Sequence, residues 1–153
     1  MMKHGPKAGD GAVLMVENAE RAEELLAAAP AGWMQTLGAR ITEAEPGRVV
    51  LELVAGPQHR HGGGVVQGAV ITQIADAAMG MALMTMQEPD MANTTIELKI
   101  NFIRPFVQGR LRAIGRVVEI KNTLLFSEAD VVDDEDKLIA RASSTCLAIP
   151  AKR

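Results

Sequence analysis

A single cysteine, Cys146, stands in the whole chain, so no internal disulfide can form. Its neighbours Thr145 and Leu147 belong to a strand-like run, and a buried, unreactive thiol is the expectation there. A chain with no disulfide suits the reducing cytoplasm. Basic excess is missing too: 16 Lys and Arg against 19 Asp and Glu leave a formal net charge of -3, with no electrostatic reason to recruit nucleic acid. No stretch approaches the roughly 20 apolar residues of a membrane-spanning helix. Residues Met1 to Asp10 carry Lys3, His4 and Lys7 but no apolar core, so they do not form a secretory signal. Internal repeats, low-complexity tracts and linkers are also lacking. What is present, 153 residues of which 48% are hydrophobic and 23% charged, fits one globular domain with one core.

Hydrophobic periodicity orders the chain. Residues 1–12, rich in Gly and Lys, are expected to be disordered, and Glu17 to Ala29 has a helix-forming composition stopped by Pro30. Residues 1–34 are thus a disordered N-terminus plus a capping helix, and residues 35–150 form the main domain. From Leu37, apolar and polar residues alternate on both sides of Glu45-Pro46-Gly47, which predicts two antiparallel strands around a turn. Gln58 to Gly64 is polar and glycine-rich and predicts no regular structure. About Gly68 to Gln87 follows a helix whose only charge is Asp76, apolar around nearly its whole circumference and therefore expected to be buried on all sides. Four strand-like runs come next (TTIELKINFIRP, GRLRAIGRVVEIK, TLLFSEADVVD, KLIARASSTCLAI), separated by Gln108-Gly109, Lys121-Asn122 and Asp133 to Asp136, turn chemistry of the hairpin type. An α+β fold, with an antiparallel sheet wrapped around one long central helix, is the simplest packing that buries such a helix. The acidic run Asp133 to Asp136 reads as a solvated turn rather than a metal loop, and no metal is expected.

Asp76 is the most informative residue. An aspartate in mid-helix has poor helix propensity, and burial of its charge requires compensation. On helical spacing it shares a narrow stripe with Thr72, Gln73 and Gly80, which suits the wall of a cleft. At the helix start, Val66-Gln67-Gly68-Ala69 follows three glycines. A helix N-terminus offers unpaired N–H groups and partial positive charge, suited to a developing oxyanion, and Gly68 permits close approach. The run His61-Gly62-Gly63-Gly64 is similar to the oxyanion loop of lipases, but no G-x-S-x-G nucleophile elbow accompanies it.

The run His61 to Gly80, followed by Thr95-Ile96-Glu97-Leu98-Lys99-Ile100-Asn101-Phe102-Ile103-Arg104-Pro105, closely resembles the hotdog thioesterases of the phenylacetic-acid-pathway type, over about Leu37 to Ile149. That family commonly shows Asn or Gln, five residues, His-Gly-Gly, and the catalytic acid nine residues after the His. Here Gln67, Gly68 and Ala69 occupy the His-Gly-Gly positions, Asp76 falls nine residues after Gln67, and His61 stands where Asn or Gln is usual. The resemblance implies the hotdog fold, with the Gly68 N–H polarising a thioester carbonyl, Asp76 as the catalytic carboxylate and Thr95 as the hydroxyl that holds the attacking water. Gln67 keeps a hydrogen-bonding side chain but cannot titrate. His61, which can, is expected to orient the thioester or assist the leaving thiolate.

Gly68 and Asp76, eight residues apart on one helix, are ~12 Å apart, too far to touch the same carbonyl carbon. If both are catalytic, one site needs two chains, hence a homodimer with two equivalent sites; the resemblance adds pairing of dimers into tetramers. The expected activity is hydrolysis of an acyl-CoA in the cytoplasm, with CoA as part of the substrate and no cofactor. Arg104, Arg116, Lys121 and Asn122 are candidates for the CoA surface. Two other readings are a non-catalytic acyl-CoA binding or sensing module, which would not need Asp76, and a dehydratase or hydratase of 3-hydroxyacyl or enoyl thioesters, which would use a histidine such as His61.

Overall fold

A computed structural model describes residues 15–151, so the expectation of disorder over residues 1–12 falls outside the described part. The elements in chain order are α1 (Ala19–Ala27), α2 (Gly32–Leu37), β1 (Ala39–Glu45), β2 (Arg48–Ala55), α3 (Gly68–Met84), β3 (Met91–Phe102), β4 (Gly109–Lys121), β5 (Leu124–Val132) and β6 (Leu138–Pro150). The capping helix starts where Asn18 accepts the Arg21 N–H at 2.9 Å, and it ends short of Pro30. Helix α2 was not foreseen. Its six residues straddle the expected boundary at 34/35, Met34 is buried beneath it, and Gly38, at φ 77°, closes it in the left-handed conformation that glycine adopts without strain.

All six strands join one antiparallel sheet in the order β1-β2-β4-β5-β6-β3. The β1–β2, β4–β5 and β5–β6 connections are hairpins, as the turn residues predict. Gln108-Gly109 is not a hairpin turn. β3 pairs with β6 at one edge while β4 inserts next to β2, so the chain crosses the sheet between them. Local turn chemistry carries no information about which strand an extended run will pair with.

α3 packs on one face of this sheet. Ile71, Ile74, Ala75, Ala78 and Ala82 meet Val49, Leu51, Leu53, Leu111, Ala113, Ala129, Val131 and Ala142, all buried. Each such large aliphatic side chain contributes about 1.5–3 kcal/mol by leaving water. The approach is closest at Gly115 on β4, where a Cβ would lie 2.3 Å from the Ala78 carbonyl carbon and oxygen. The helix stops at Met84, three residues before the expected Gln87. Thr85 turns its hydroxyl back to the Ala82 carbonyl (2.7 Å) and accepts the Gly47 N–H (2.8 Å), tying the helix end to the β1–β2 turn.

One expectation fails within the single chain. α3 is not buried on all sides: Ala69 and Gln73 are exposed, and Val70, Asp76, Ala77, Gly80 and Met84 only partly covered. Among the described residues no helix is long and apolar enough to cross a membrane.

Candidate active site

Asp76 lies on the open face of α3, and Thr95 of β3 donates its hydroxyl to Asp76 Oδ1 at 2.9 Å. The two residues line a cleft of about 550 Å³ together with Ala69, Thr72 and Gln73 from the helix and Leu98 from the strand. Of the stripe inferred from helical spacing, Thr72, Gln73 and Asp76 form one wall of the cleft, while Gly80 does not line it. Oδ2 of Asp76 has no hydrogen-bond partner among the described residues, which leaves it free to accept from a ligand or water.

Thr95 reaches the helix because β3 is bulged. Leu98, Ile100 and Phe102 pair with Ser144, Ala142 and Ala140 and face α3; alternation alone would turn Thr95, three residues before Leu98, outward. Pairing jumps from Thr95 opposite Cys146 to Glu97 opposite Thr145, so Ile96 is an extra residue and the phase is reset. Ile96 itself is turned out, 57% exposed. The bulge therefore aims the Thr95 hydroxyl at the carboxylate.

The other expected residues gather two turns away, at the α3 N-terminus. Gln67 is the N-cap residue, exposed, and makes no side-chain capping bond. The Gly68 N–H has no partner among the described residues, as the first turn of a helix dictates. The bare Gly68 Cα lies under the Phe102 ring: a Cβ there would sit 2.9 Å from Phe102 Cζ. His61 is exposed, and its Nδ1 accepts the Gly63 N–H at 2.9 Å. Neither His61, Gln67 nor Gly68 lines the Asp76 cleft of the same chain.

The segment read as irregular, Gln58 to Gly64, begins inside a 3₁₀ turn (Pro57–His59) and includes a buried histidine. His59 Nδ1 accepts the Gly56 N–H at 2.9 Å, which leaves Nε2 to carry the proton donated to the Leu37 carbonyl at 2.8 Å. Arg60 Nε binds the Val107 carbonyl, and the Val66 N–H binds Phe106, so the loop that enters α3 is held on both sides.

The four residues considered for CoA do not form one cluster in the single chain. Arg104 follows β3 and donates to the Leu138 carbonyl at 2.6 Å. Lys121, the last residue of β4, and Asn122, in the β4–β5 turn at φ 57°, lie at the opposite end of the sheet. Arg116 projects from the face away from α3 and pairs with Asp130 at 3.6 Å, where Arg141 also binds (Nε 2.7 Å). Arg141's hydrogen bonds, opposed by partial burial and aided by the charges of Arg141 and Arg116, hold the Asp130 carboxyl below its ordinary 3.8. The acidic tip is a self-capped turn in which Asp133 Oδ1 accepts the N–H groups of Glu135 and Lys137, both at 2.9 Å.

One contact could not be read from the sequence. Cys146, fully buried, lies behind Thr95 with Sγ 3.7 Å from Thr95 Oγ1. Only the β3–β6 register brings them together, across 51 residues.

A six-stranded antiparallel sheet packed on one long helix, with a carboxylate on that helix facing a cleft, defines the hotdog class of α+β proteins. The E. coli PaaI protein of the phenylacetic acid degradation operon superposes with a TM-score of 0.79 at 20% identity, covering 88% of this chain and 97% of that one. A thioesterase family protein from Silicibacter pomeroyi gives 0.77 at 28% identity, with 87% and 98% covered. In sequence, residues 63–140 match the family model of the Thioesterase superfamily. A Saccharolobus solfataricus protein named as a candidate esterase is 32% identical over 69% of this chain and 75% of its own length. The 1,4-dihydroxy-2-naphthoyl-CoA hydrolase of Listeria monocytogenes is 24% identical over 80% and 98%. The chain belongs to the thioesterase superfamily.

Proposed function

We propose that this protein hydrolyses acyl-CoA thioesters to the free acid and CoA. Family membership supports thioester hydrolysis, and the contact that carries the assignment to residues is the bond from Thr95 to Asp76 inside the α3–β3 cleft. With Oδ1 held by Thr95, Oδ2 is left to take a proton from water. The water oxygen adds to the thioester carbonyl, the carbonyl oxygen gathers negative charge, and collapse breaks the C–S bond as the thiolate leaves and is protonated. In the alternative course Asp76 attacks directly, forming an anhydride that water then opens. The Gly68 N–H, at the positive end of α3, is the donor for the developing oxyanion.

The same reading makes the site a shared one. Among the described residues β3 is an edge strand, paired on one side only, with Phe102 on the face that meets α3 and Ile96 turned outward, both more than half exposed. A second copy set against this edge would cover both and bring its own Gly68 to the Asp76 cleft of the first. Arg104, Lys121 and Asn122, at opposite ends of one sheet, would then have to serve CoA from different subunits.

The test is CoA release, followed by free-thiol detection on short, medium, long and aryl acyl-CoAs, beside Asp76→Asn. Loss of activity by a factor of about 100 or more is expected for the variant. A wild-type protein inert towards the whole panel overturns the activity, and hydration of crotonyl-CoA instead would point to a hydratase. Subunit sharing is tested by complementation. Gly68→Pro removes the N–H at a first helical position that tolerates proline. Mixing it with Asp76→Asn should recover about a quarter of wild-type activity, because statistical mixing makes half the dimers mixed and each of those holds one intact site. No recovery refutes sharing.

A further inference from the structure

We infer that Cys146 is a positioning residue for the hydrolytic site, its thiol holding the Thr95 hydroxyl turned towards Asp76. The inference rests on the Asp76 site described under the proposed function. Three side chains stand in line behind the carboxylate. Thr95 Oγ1 is 2.9 Å from Asp76 Oδ1, Cys146 Sγ is 3.7 Å from Thr95 Oγ1, and Ser144 Oγ is 3.4 Å from Cys146 Sγ and 3.1 Å from the Glu97 carbonyl.

Each of these groups has one proton to give, and counting the protons leaves the thiol as the donor still unassigned. A carboxylate only accepts, so the Thr95 proton points to Asp76. A carbonyl only accepts, so Ser144 spends its proton on Glu97. The thiol proton is the one left, and both hydroxyl oxygens can accept it. With the thiol proton given to Thr95, as the 3.7 Å contact allows, Thr95 Oγ1 gives its own proton to Asp76, accepts from the thiol with one lone pair, and keeps one lone pair for the water. A water that donates one hydrogen to that lone pair and the other to Asp76 Oδ2 presents its own lone pair to the carbonyl carbon. Without the thiol, the hydroxyl has a second orientation in which it no longer faces the carboxylate.

Two features of the surroundings give this restraint something to do. Thr95 lies on the edge strand immediately before the Ile96 bulge, where the β3–β6 ladder is interrupted. Ser144 grips the backbone on the far side of the bulge, at Glu97, while Cys146 grips the side chain on the near side. The cysteine is also packed among Leu83, Leu125, Met86, Ile120 and Ala148, an apolar pocket in which a thiol is better tolerated than a hydroxyl.

The experiment is a double-mutant cycle on the full chain with CoA release as the readout: Cys146→Val, Thr95→Val and the pair, with Cys146→Ser as the variant that keeps a donor. Cys146→Val should lower kcat about three- to tenfold with KM nearly unchanged, Cys146→Ser should recover most of that loss, and Cys146→Val should have no further effect when Thr95 is already valine. An equal loss in both backgrounds shows a general packing defect and overturns the inference; so does an unchanged kcat in Cys146→Val. Cys146→Ala replaces the valine variant if branching disturbs folding. A second readout needs no turnover. As the only cysteine in the chain, Cys146 gives one infrared S–H stretching band, which should shift in Thr95→Val. A band identical to wild type overturns the contact whatever the kinetics. A band that shifts in a protein inert towards every acyl-CoA rejects the hydrolase reading instead, so the two failures are told apart.

Discussion

The substitution Gly115→Ala tests whether α3, and with it Asp76, is seated by a single backbone contact. The added methyl carbon would lie 2.3 Å from both the carbonyl carbon and oxygen of Ala78 and 2.7 Å from the Met79 nitrogen. These are backbone atoms in the middle of a helix, so no rotamer change relieves them. Ordinary contact begins near 3.4 Å, and the helix must therefore retreat by about 1 Å. Overpacking of a core costs about 1–3 kcal/mol, and the upper half of that range applies where only backbone can move. For a chain of this length each kcal/mol lowers Tm by about 2–4 °C, so a drop of about 6–12 °C is expected at 3 kcal/mol. The same retreat would stretch the 2.9 Å contact from Thr95 to Asp76 beyond hydrogen-bond range, and misplacement by 1 Å can cost on the order of 100-fold in rate. Urea unfolding with an unchanged m-value, paired with kcat on the best acyl-CoA, checks both consequences. Gly68→Ala is the control: its nominal clash, 2.9 Å, is with the tip of the Phe102 ring, which is 52% exposed and free to swing aside. Its stability should change by less than about 1 kcal/mol. If Gly115→Ala is as stable as Gly68→Ala and keeps wild-type kcat, the close seating of α3 on β4 is refuted.

Thr85→Val should destabilise by about 1–3 kcal/mol in urea titration, because the Gly47 N–H of a partly covered turn loses its acceptor, the fully buried Thr85 hydroxyl. His59→Ala should cost at least as much, since it strands both the Gly56 N–H and the Leu37 carbonyl, whereas His61→Ala, on an exposed loop, should change stability by less than about 0.5 kcal/mol. Asp130 has a depressed folded-state pKa, so its stabilisation is complete above its ordinary 3.8 and is lost as pH falls through the lower folded value. Asp130→Asn should accordingly be less stable than wild type at neutral pH, with the difference closing below pH 3.8; a difference that persists undiminished at the acid end would refute the ion-pair account.

Hydrophobic periodicity made the strands, the long helix and the antiparallel class legible, because helical and extended spacing of apolar residues are local properties of the chain. β4 matches its expected run, Gly109–Lys121, and the two strands around Pro46-Gly47 fall where alternation places them. Asp76 was legible for the same reason: a lone charge on an apolar helix is a local anomaly. The short helix α2, the buried His59 and the position of β3 at the far edge were not legible, since each is decided by partners remote in sequence. Thr95 was expected at the site from family resemblance, but its aim depends on a bulge at Ile96 that no local preference announces. Cys146 shows the division most sharply. Sequence by itself determined that it is a lone cysteine in an apolar strand; only the pairing of β3 with β6 decided that its thiol faces Thr95. That pairing is a long-range register, set by which faces of two distant strands must meet the helix.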